Sequence, residues 1–397
     1  MRLRRGVVGL ACLLVAGAVT TSGGVAAAFD DTVPWYQRPV TVGSGFVVGN
    51  GPVAGMPVVS ASGRWVAFAS DATNLVPGDT NGKTDLFLRD RFHDVTTRII
   101  ENVESARAMS PNGRYIVFIA PGEPLTGGGT SRDGVYDRQT GRVTAVPLVT
   151  AINNDGWLAI GHVRNVREDL ENDAYHDAFA SMSKLNEDGT VTSPAPMHQP
   201  ASRLQAGVDG FSSLDASMRS GVYAAALTTG SPYQIDDRDG GVAVIADMVT
   251  GNEQSILASS PPPGLHPTLN ERAPEISPNG RYVTFYQSIL DSDGGYRGVW
   301  DTQTNEIFVR FGIATAIVTN DGRLISATST GLTVHDMRTD EVTDIRPYDP
   351  VQDLQRHQIY SIATDSNRFL TCTTNAISRF DTNGVRDCYL IPIPPST

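Results

Sequence analysis

Polar and apolar positions alternate along this chain in short runs, and the runs recur. Seven stretches share one order: a small polar turn, then a basic or aromatic residue, then an apolar segment of strand length. They are "SASGRWVAFAS" from Ser60, "SPNGRYIVFIA" from Ser110, "NNDGWLAIGH" from Asn153, "SMRSGVYAAAL" from Ser217, "SPNGRYVTFYQ" from Ser277, "TNDGRLISATS" from Thr319 and "TDSNRFLTCTT" from Thr364. Asn-Gly and Asp-Gly between apolar runs predict tight hairpins with positive φ at both central positions. Asn367 stands where the other stretches carry glycine, and Asn also visits the left-handed region. In "RWVAFAS", Trp65, Ala67 and Ala69 oppose Val66 and Phe68, so both faces of the strand are largely apolar. Such a strand belongs to a sheet covered on two sides.

A second landmark follows each turn. A strand ends in Asp, a tight turn comes next, and another strand begins: "LFLRDRFHDVTTRI", "GVYDRQTGRVTAV", "VAVIADMVTGNEQSI", "GVWDTQTNEIFVRF", "LTVHDMRTDEVTDI" and "ISRFDTNGVRDCYLI". The third unit, "AFASMSKLNEDGTVTS", lacks the Asp. From Gly63 to Asn367 the units repeat every ~51 residues, close to the period of propeller blades. Each unit holds two hairpins, hence four short strands. The pattern predicts an all-β chain: a single β-propeller of seven blades with four antiparallel strands each, six or eight being the neighbouring counts. Residues 57–397 form the propeller in this reading, and 29–56 an N-terminal segment. Within that segment Pro39–Val42, in "RPVTVGS", reads as an outer strand that pairs with the last blade and closes the ring, leaving no free edge.

The pattern S-P-[DN]-G-[KR]-[YW]-[IV]-x-F, met in full at Ser110 and Ser277 and followed by a strand ending in Asp, resembles the repeat of TolB-type propellers. It is similar as well to the gating propellers of prolyl-oligopeptidase enzymes. The blade-one text "SGRWVAFASDATNLVPGDTNGKTDLFLRDR" resembles repeats of secreted actinobacterial propellers of unassigned function. The resemblance spans about residues 38–391 and implies the fold. Its motifs are structural, so it implies little about activity.

Charge and targeting narrow the setting. Arg2, Arg4 and Arg5 precede the apolar run "GVVGLACLLVAGAV", and "VAAAFDD" offers small residues at Ala26 and Ala28. This reads as a signal peptide over 1–28, cleaved before Phe29, and as export to the outside of the membrane. A lipoprotein reading of Cys12 is the weaker alternative, because Gly9 stands where a large aliphatic residue is usual. No later stretch is long enough to span a membrane. Removing 1–28 takes away three Arg and no acid, moving the net charge from −12 to −15. That field argues against nucleic acid or anionic lipid as a main partner.

Cys372 and Cys388 remain after cleavage, an even pair suited to a disulfide in an oxidising compartment. The strand assignment stands against it. Cys372 falls on the second strand of blade seven and Cys388 on the fourth, ~10 Å apart and beyond disulfide reach. Either blade seven is irregular or the thiols stay separate.

Candidate chemistry is sparse. Asp79, Asn81 and Asp85 surround Gly82 in "PGDTNGKTD", an arrangement of oxygens suited to a weak extracellular calcium site or, without metal, to ordinary Asx turns. Gly82-Lys83-Thr84 mimics the end of a phosphate loop but precedes a strand rather than a helix. His162, Glu168, Asp169, Glu171, Asp173, His176 and Asp177 cluster in "GHVRNVREDLENDAYHDAF", a metal or acid/base cluster on a long inter-strand loop in one reading and, in the favoured one, a solvated excursion between strands. No zinc-type spacing and no nucleophile elbow occur. The sequence therefore points to an exported, non-catalytic scaffold that binds a protein or a small ligand. The alternative is a propeller enzyme of polysaccharide lyase or lactonase type, with its site at a channel mouth.

Overall fold

A computed structural model describes residues 38–122, 133–146, 149–167, 175–192, 211–219, 222–229, 242–247, 252–257, 275–288, 295–311, 316–328, 331–345, 358–374 and 383–395. Strands group into seven antiparallel sheets taken in chain order, six of four strands and one of three. Blade one comprises Val53–Val59, Trp65–Ser70, Asp85–Asp90 and Val95–Ile100. Blade two comprises Ser105–Met109, Tyr115–Ile119, Asp133–Asp137 and Arg142–Val146. Blades three to six open on Val149–Ile152, Phe211–Arg219, Glu275–Ile276 and Ala316–Val318. Blade seven holds Gln358–Ala363, Arg368–Thr373 and Asp387–Pro392. The first strand of each blade touches the first strand of the next, and that of blade seven touches that of blade one, so the sheets form a closed ring. The chain is a β-propeller. Blade one opens at Val53, inside the segment assigned above to the approach.

The core lies between blades, which is why the strands are apolar on both faces. Val58, Ala67, Leu86, Ile116 and Phe118 pack blade one on blade two. Tyr115, Val117, Ile152 and Leu158 do the same for blades two and three.

The twice-written hexapeptide is a corner that also joins blades. Ser110 N–H donates to the Tyr115 carbonyl at 3.0 Å and Gly113 N–H to the Ser110 carbonyl at 2.8 Å. Only the glycine takes positive φ, +71° at Gly113 and +73° at Gly280. This corrects the expected two-residue turn: four residues separate the closing pair, and Pro111 sits where φ near −65° suits the second position of a type I turn. Ser110 Oγ accepts the Tyr115 N–H at 2.9 Å and donates to Asn112 Oδ1 at 2.8 Å. Asn112 Oδ1 also accepts the Arg114 N–H. Ser277, Asn279 and Arg281 repeat these bonds.

The two sequence landmarks meet as an ion pair. Arg114 donates through Nε and Nη2 to both oxygens of Asp137, at 3.1 and 2.9 Å. Arg281 does so to Asp301 at 2.9 and 2.6 Å, and Arg64 to Asp90 at 3.0 and 2.7 Å. Each carboxylate also accepts an N–H two residues on, from Gln139, Gln303 or Phe92, and so ties down the next turn. The aromatic residue of the motif serves the neighbouring blade. Trp65 lies under Gly113, where a Cβ would stand 2.5 Å from Trp65 Cδ1, and Arg138 caps the ring at 4.0 Å. Tyr282 lies likewise under Gly322, capped by Arg338 at 5.3 Å. Glycine is required there twice over, by φ and by the ring beneath.

Blade seven departs from the template. Its third strand, Asp387–Pro392, pairs directly with Arg368–Thr373, and Cys388 is the register partner of Cys372. The placement of Cys388 two strands away from Cys372 is corrected: its strand is the direct partner of the Cys372 strand, and the two cysteines are bonded, with Cα atoms 4.0 Å apart. Residues 375–382, where a further strand was expected, lie outside the described residues. The far edge of Asp387–Pro392 is met by the N-terminal segment. Val40 N–H donates to the Cys388 carbonyl at 2.7 Å, and Thr41 Oγ1 accepts the Cys388 N–H at 3.1 Å. The segment continues onto blade one, where the Thr96 hydroxyl donates to the Val42 carbonyl and Arg89 Nη1 to that of Gly43. Val40, Val53, Phe68, Phe87, Leu370, Cys372, Cys388 and Leu390 are buried together at this junction.

Candidate functional site

The inner strands wall the central channel, and their regularity is broken in consecutive blades. In blade two, Ala106 pairs with Phe118 and Ala108 with Val117, so Arg107 is an extra residue. Thr150 is extra in blade three and Tyr360 in blade seven. In blade one, residues 55–57 lie between the pairs Ala54–Ala69 and Val58–Ala67. A bulge swings a side chain out of the alternating pattern and re-aims it. The bulges of blades one and two interlock, since Ser105 Oγ accepts the Met56 N–H at 2.9 Å. Gly55 has φ +57°, and a Cβ there would stand 2.1 Å from Ser105 Oγ. Only glycine fits.

Two bulge side chains reach open space: Met56 is 46% exposed and the Arg107 side chain 24%. Other partly exposed inner-strand residues are Ala54, Ala108, Met109, Ile317 and Ile359. Among the described inner-strand side chains Arg107 is the charged one, and the partly exposed ones beside it are apolar. Its described ionic partner is Asp133, whose Oδ2 lies 3.4 Å from Nε without hydrogen-bond alignment. Asp133 is itself 2% exposed and accepts the Val149 N–H through the same oxygen at 2.9 Å. Nearby, Arg386 Nη1 donates to the carbonyls of Val53 and Gly55, and burial pushes its pKa down. The wall can therefore present a cation within an apolar surface. Sequence reading missed Arg107. The available signal was a lone Arg inside the small apolar strand "SARAM", and only the register shows that it is bulged.

Asp79, Asn81 and Asp85 do come together, around a guanidinium. Arg98 Nη1 lies 3.2 Å from Asp79 Oδ1 and 2.9 Å from Asp85 Oδ2. Asn81 turns its amide nitrogen to both Asp85 oxygens and its Oδ1 to the Lys83 N–H. Burial, then repulsion from Asp85, raises the Asp79 pKa despite Arg98. Among the described residues no three His, Cys, Asp or Glu side chains are grouped to hold a metal. The His-and-acid stretch is not one excursion. His162 lies on Trp157–Arg167, and His176 and Asp177 on Tyr175–Leu185, two long paired strands. Glu168, Asp169, Glu171 and Asp173 lie outside the described residues, as does 1–28.

On the turn face the charged residues of the repeat are engaged with one another. Burial pushes the Asp90 carboxyl up, but hydrogen bonds from Arg64, His93 and the Phe92 N–H outweigh it and hold it well below the usual carboxylate range. The Arg281 hydrogen bonds bring Asp301 down to about 2. Arg91, partly buried and repelled by Arg368 and Arg89, falls to about 10.

No family model matches the chain, and no curated protein does. Solved structures do. Oligogalacturonate lyase from Vibrio parahaemolyticus is 12% identical with a TM-score of 0.51, covering 87% of this chain and 91% of its own. The propeller domain of the Trilobed protease from Pyrococcus furiosus, which has an open velcro topology, is 12% identical with a TM-score of 0.50 over 86% of this chain and 95% of its own. TolB from Acinetobacter baumannii is 15% identical with a TM-score of 0.36 over 65% and 53%. At these identities the likeness to the first two shows the fold, a β-propeller of a kind that serves binding proteins and enzymes alike.

Proposed function

We propose that this chain is an exported, non-catalytic β-propeller of TolB-type repeat that acts outside the membrane as a scaffold binding a protein or small ligand. One observation carries the reading. The charged residues that the repeat writes again and again, Arg64 with Asp90, Arg114 with Asp137 and Arg281 with Asp301, are engaged in joints within the ring. Among the described residues, the inner strands of blades one and two leave partly exposed apolar surface around Arg107. Mostly apolar concavities with few polar groups are the usual form of a binding site. Export is supported by the basic and apolar start of the chain and by the Cys372–Cys388 bond, since such bonds persist in oxidising compartments.

The test sets binding against turnover. The purified chain is incubated with polyuronate and with lactone substrates, with and without divalent metal, while chain cleavage and ring opening are followed. The scaffold reading expects no product above the no-protein control. Sustained release of unsaturated sugar ends or of hydroxy acid overturns it in favour of a lyase or lactonase.

A further inference from the structure

We propose that the channel wall at blades one and two binds an amphiphilic carboxylate, with its apolar body against the wall and its single anionic head on the terminal nitrogens of Arg107. The inference rests on the binding reading above and names its ligand class. A guanidinium in a largely apolar wall is costly to hold unless an anion meets it. Asp133 meets it only in part: it lies beside Nε at 3.4 Å, out of hydrogen-bond alignment. Asp133 also accepts the Val149 N–H, which fixes the carboxylate as a brace. Asp133 thus positions Arg107, and the Nη1–Nη2 edge is left as the fork that grips a carboxylate through two parallel hydrogen bonds.

The rest of the wall sets the remainder of the ligand. Met56 stands on the neighbouring bulge, tied to the Arg107 strand through Ser105 Oγ. Its flexible thioether adapts to varied apolar shapes. Ala54 and Met109, partly buried against the core between blades one and two, and Ala108, against that between blades two and three, leave small apolar surface on either side, and no second described cation joins them on the inner strands. Arg386, beside the blade-one bulge, spends Nη1 on the Val53 and Gly55 carbonyls, so a polyanion would meet Arg107 as the described inner-strand cation and, around it, the field of a chain with net charge −12. One negative charge on an apolar body suits both facts.

Octanoate below its micelle concentration is the probe, with acetate and 1-octanol as the head-only and body-only controls. Isothermal titration calorimetry on the purified chain is expected to show one octanoate bound, at least ~10-fold more tightly than either control: hydrogen bonds to a charged group supply that factor over 1-octanol, and burial of the alkyl chain supplies it over acetate. Arg107→Gln is expected to reduce octanoate affinity ~10-fold or more while leaving 1-octanol unchanged. Should Arg107→Gln fail to fold, Met56→Glu, at an exposed position, offers Arg107 an internal carboxylate and is expected to abolish octanoate binding. Equal binding of octanoate and 1-octanol to the parent chain overturns the proposal. So does octanoate binding indifferent to both substitutions. A chain that ignores octanoate yet turns over no substrate loses this ligand class and keeps the scaffold reading, so the two failures are distinguishable.

Discussion

Blades two and seven build the same sheet from different resources. Blade two draws its four strands from one continuous stretch, and its corner closes through Arg114 and Asp137, 23 positions apart. Blade seven draws three strands from its own stretch and meets, at its outer edge, residues 346 and 347 positions away. Its corner has Asn367 at φ +49° in place of glycine, and a disulfide crosses its second and third strands. Blade two is held by local polar chemistry that the sequence spells out. Blade seven is held by a covalent bond and by a segment from the opposite end of the chain. A ring has one place where its ends must meet, and there the repeat yields to closure.

The largest expected effect breaks the blade-two side of this contrast. Gly113→Val forces a β-branched residue to φ +71° and drives its Cβ into Trp65. The left-handed conformation costs ~1–2 kcal/mol and overpacking ~1–3, so urea unfolding should show a loss of roughly 3–4 kcal/mol. Gly141→Ala, at φ +70° with nothing within 4 Å, is the control and should lose only about 1 kcal/mol. Equal losses at the two sites would dissolve the inter-blade joint. On the blade-seven side, Cys372→Ala with Cys388→Ala opens a cross-link with a sequence separation of 16 and should cost ~3 kcal/mol. Blade two lacks this bond, so exchange protection of Tyr115–Ile119 should fall less than that of Asp387–Pro392.

How much of this was legible follows from the same contrast. The corner residues Ser110, Gly113, Arg114 and Asp137 interact over short spans, so their spacing and repetition announce the turns, the blades and their number. The Cys372–Cys388 bond is legible as an even pair of cysteines, but the sequence leaves it open because strand position counted from a four-strand template sets the two ~10 Å apart, and no local signal shows that their strands are direct neighbours. Arg107 went unread because a bulge is a property of register between two strands. The residues "SARAM" alternate well enough alone to hide it. The calcium candidates Asp79, Asn81 and Asp85 were found as neighbours, but Arg98, arriving from the outer strand of blade one, was not foreseen among them.

A smaller effect sharpens the corner. Asp301, whose side chain is 1% exposed, has its pKa depressed to about 2 by Arg281, against ~3.9 in the unfolded chain. Its contribution is present in full above pH ~4 and is lost as pH falls through 2, since protonation then favours the unfolded chain. The shift corresponds to on the order of 2 kcal/mol. Asp301→Asn should lower stability by about that much at neutral pH and flatten this acid limb in denaturant titrations; an unchanged limb would remove the pair from the account. The smallest expected effect concerns Arg98. Arg98→Gln vacates the cation's place between Asp79 and Asp85, and millimolar calcium should then raise thermal stability by at most ~1 kcal/mol more than in the parent chain. Equal shifts with magnesium would mark a salt effect.

The central claim is that the ring closes where the N-terminal segment meets the outer edge of blade seven. Val40→Pro deletes the N–H that reaches the Cys388 carbonyl and leaves the apolar contact largely in place. Residue-resolved hydrogen exchange of the native chain reads the result most directly. Closure at this edge predicts that the amides of Cys388 and Leu390 exchange at least ~10-fold faster while Ile116 and Val117 in blade two stay as protected as before, because local opening is confined to the unit that loses its bonds. Unchanged protection at Cys388 and Leu390 would contradict it.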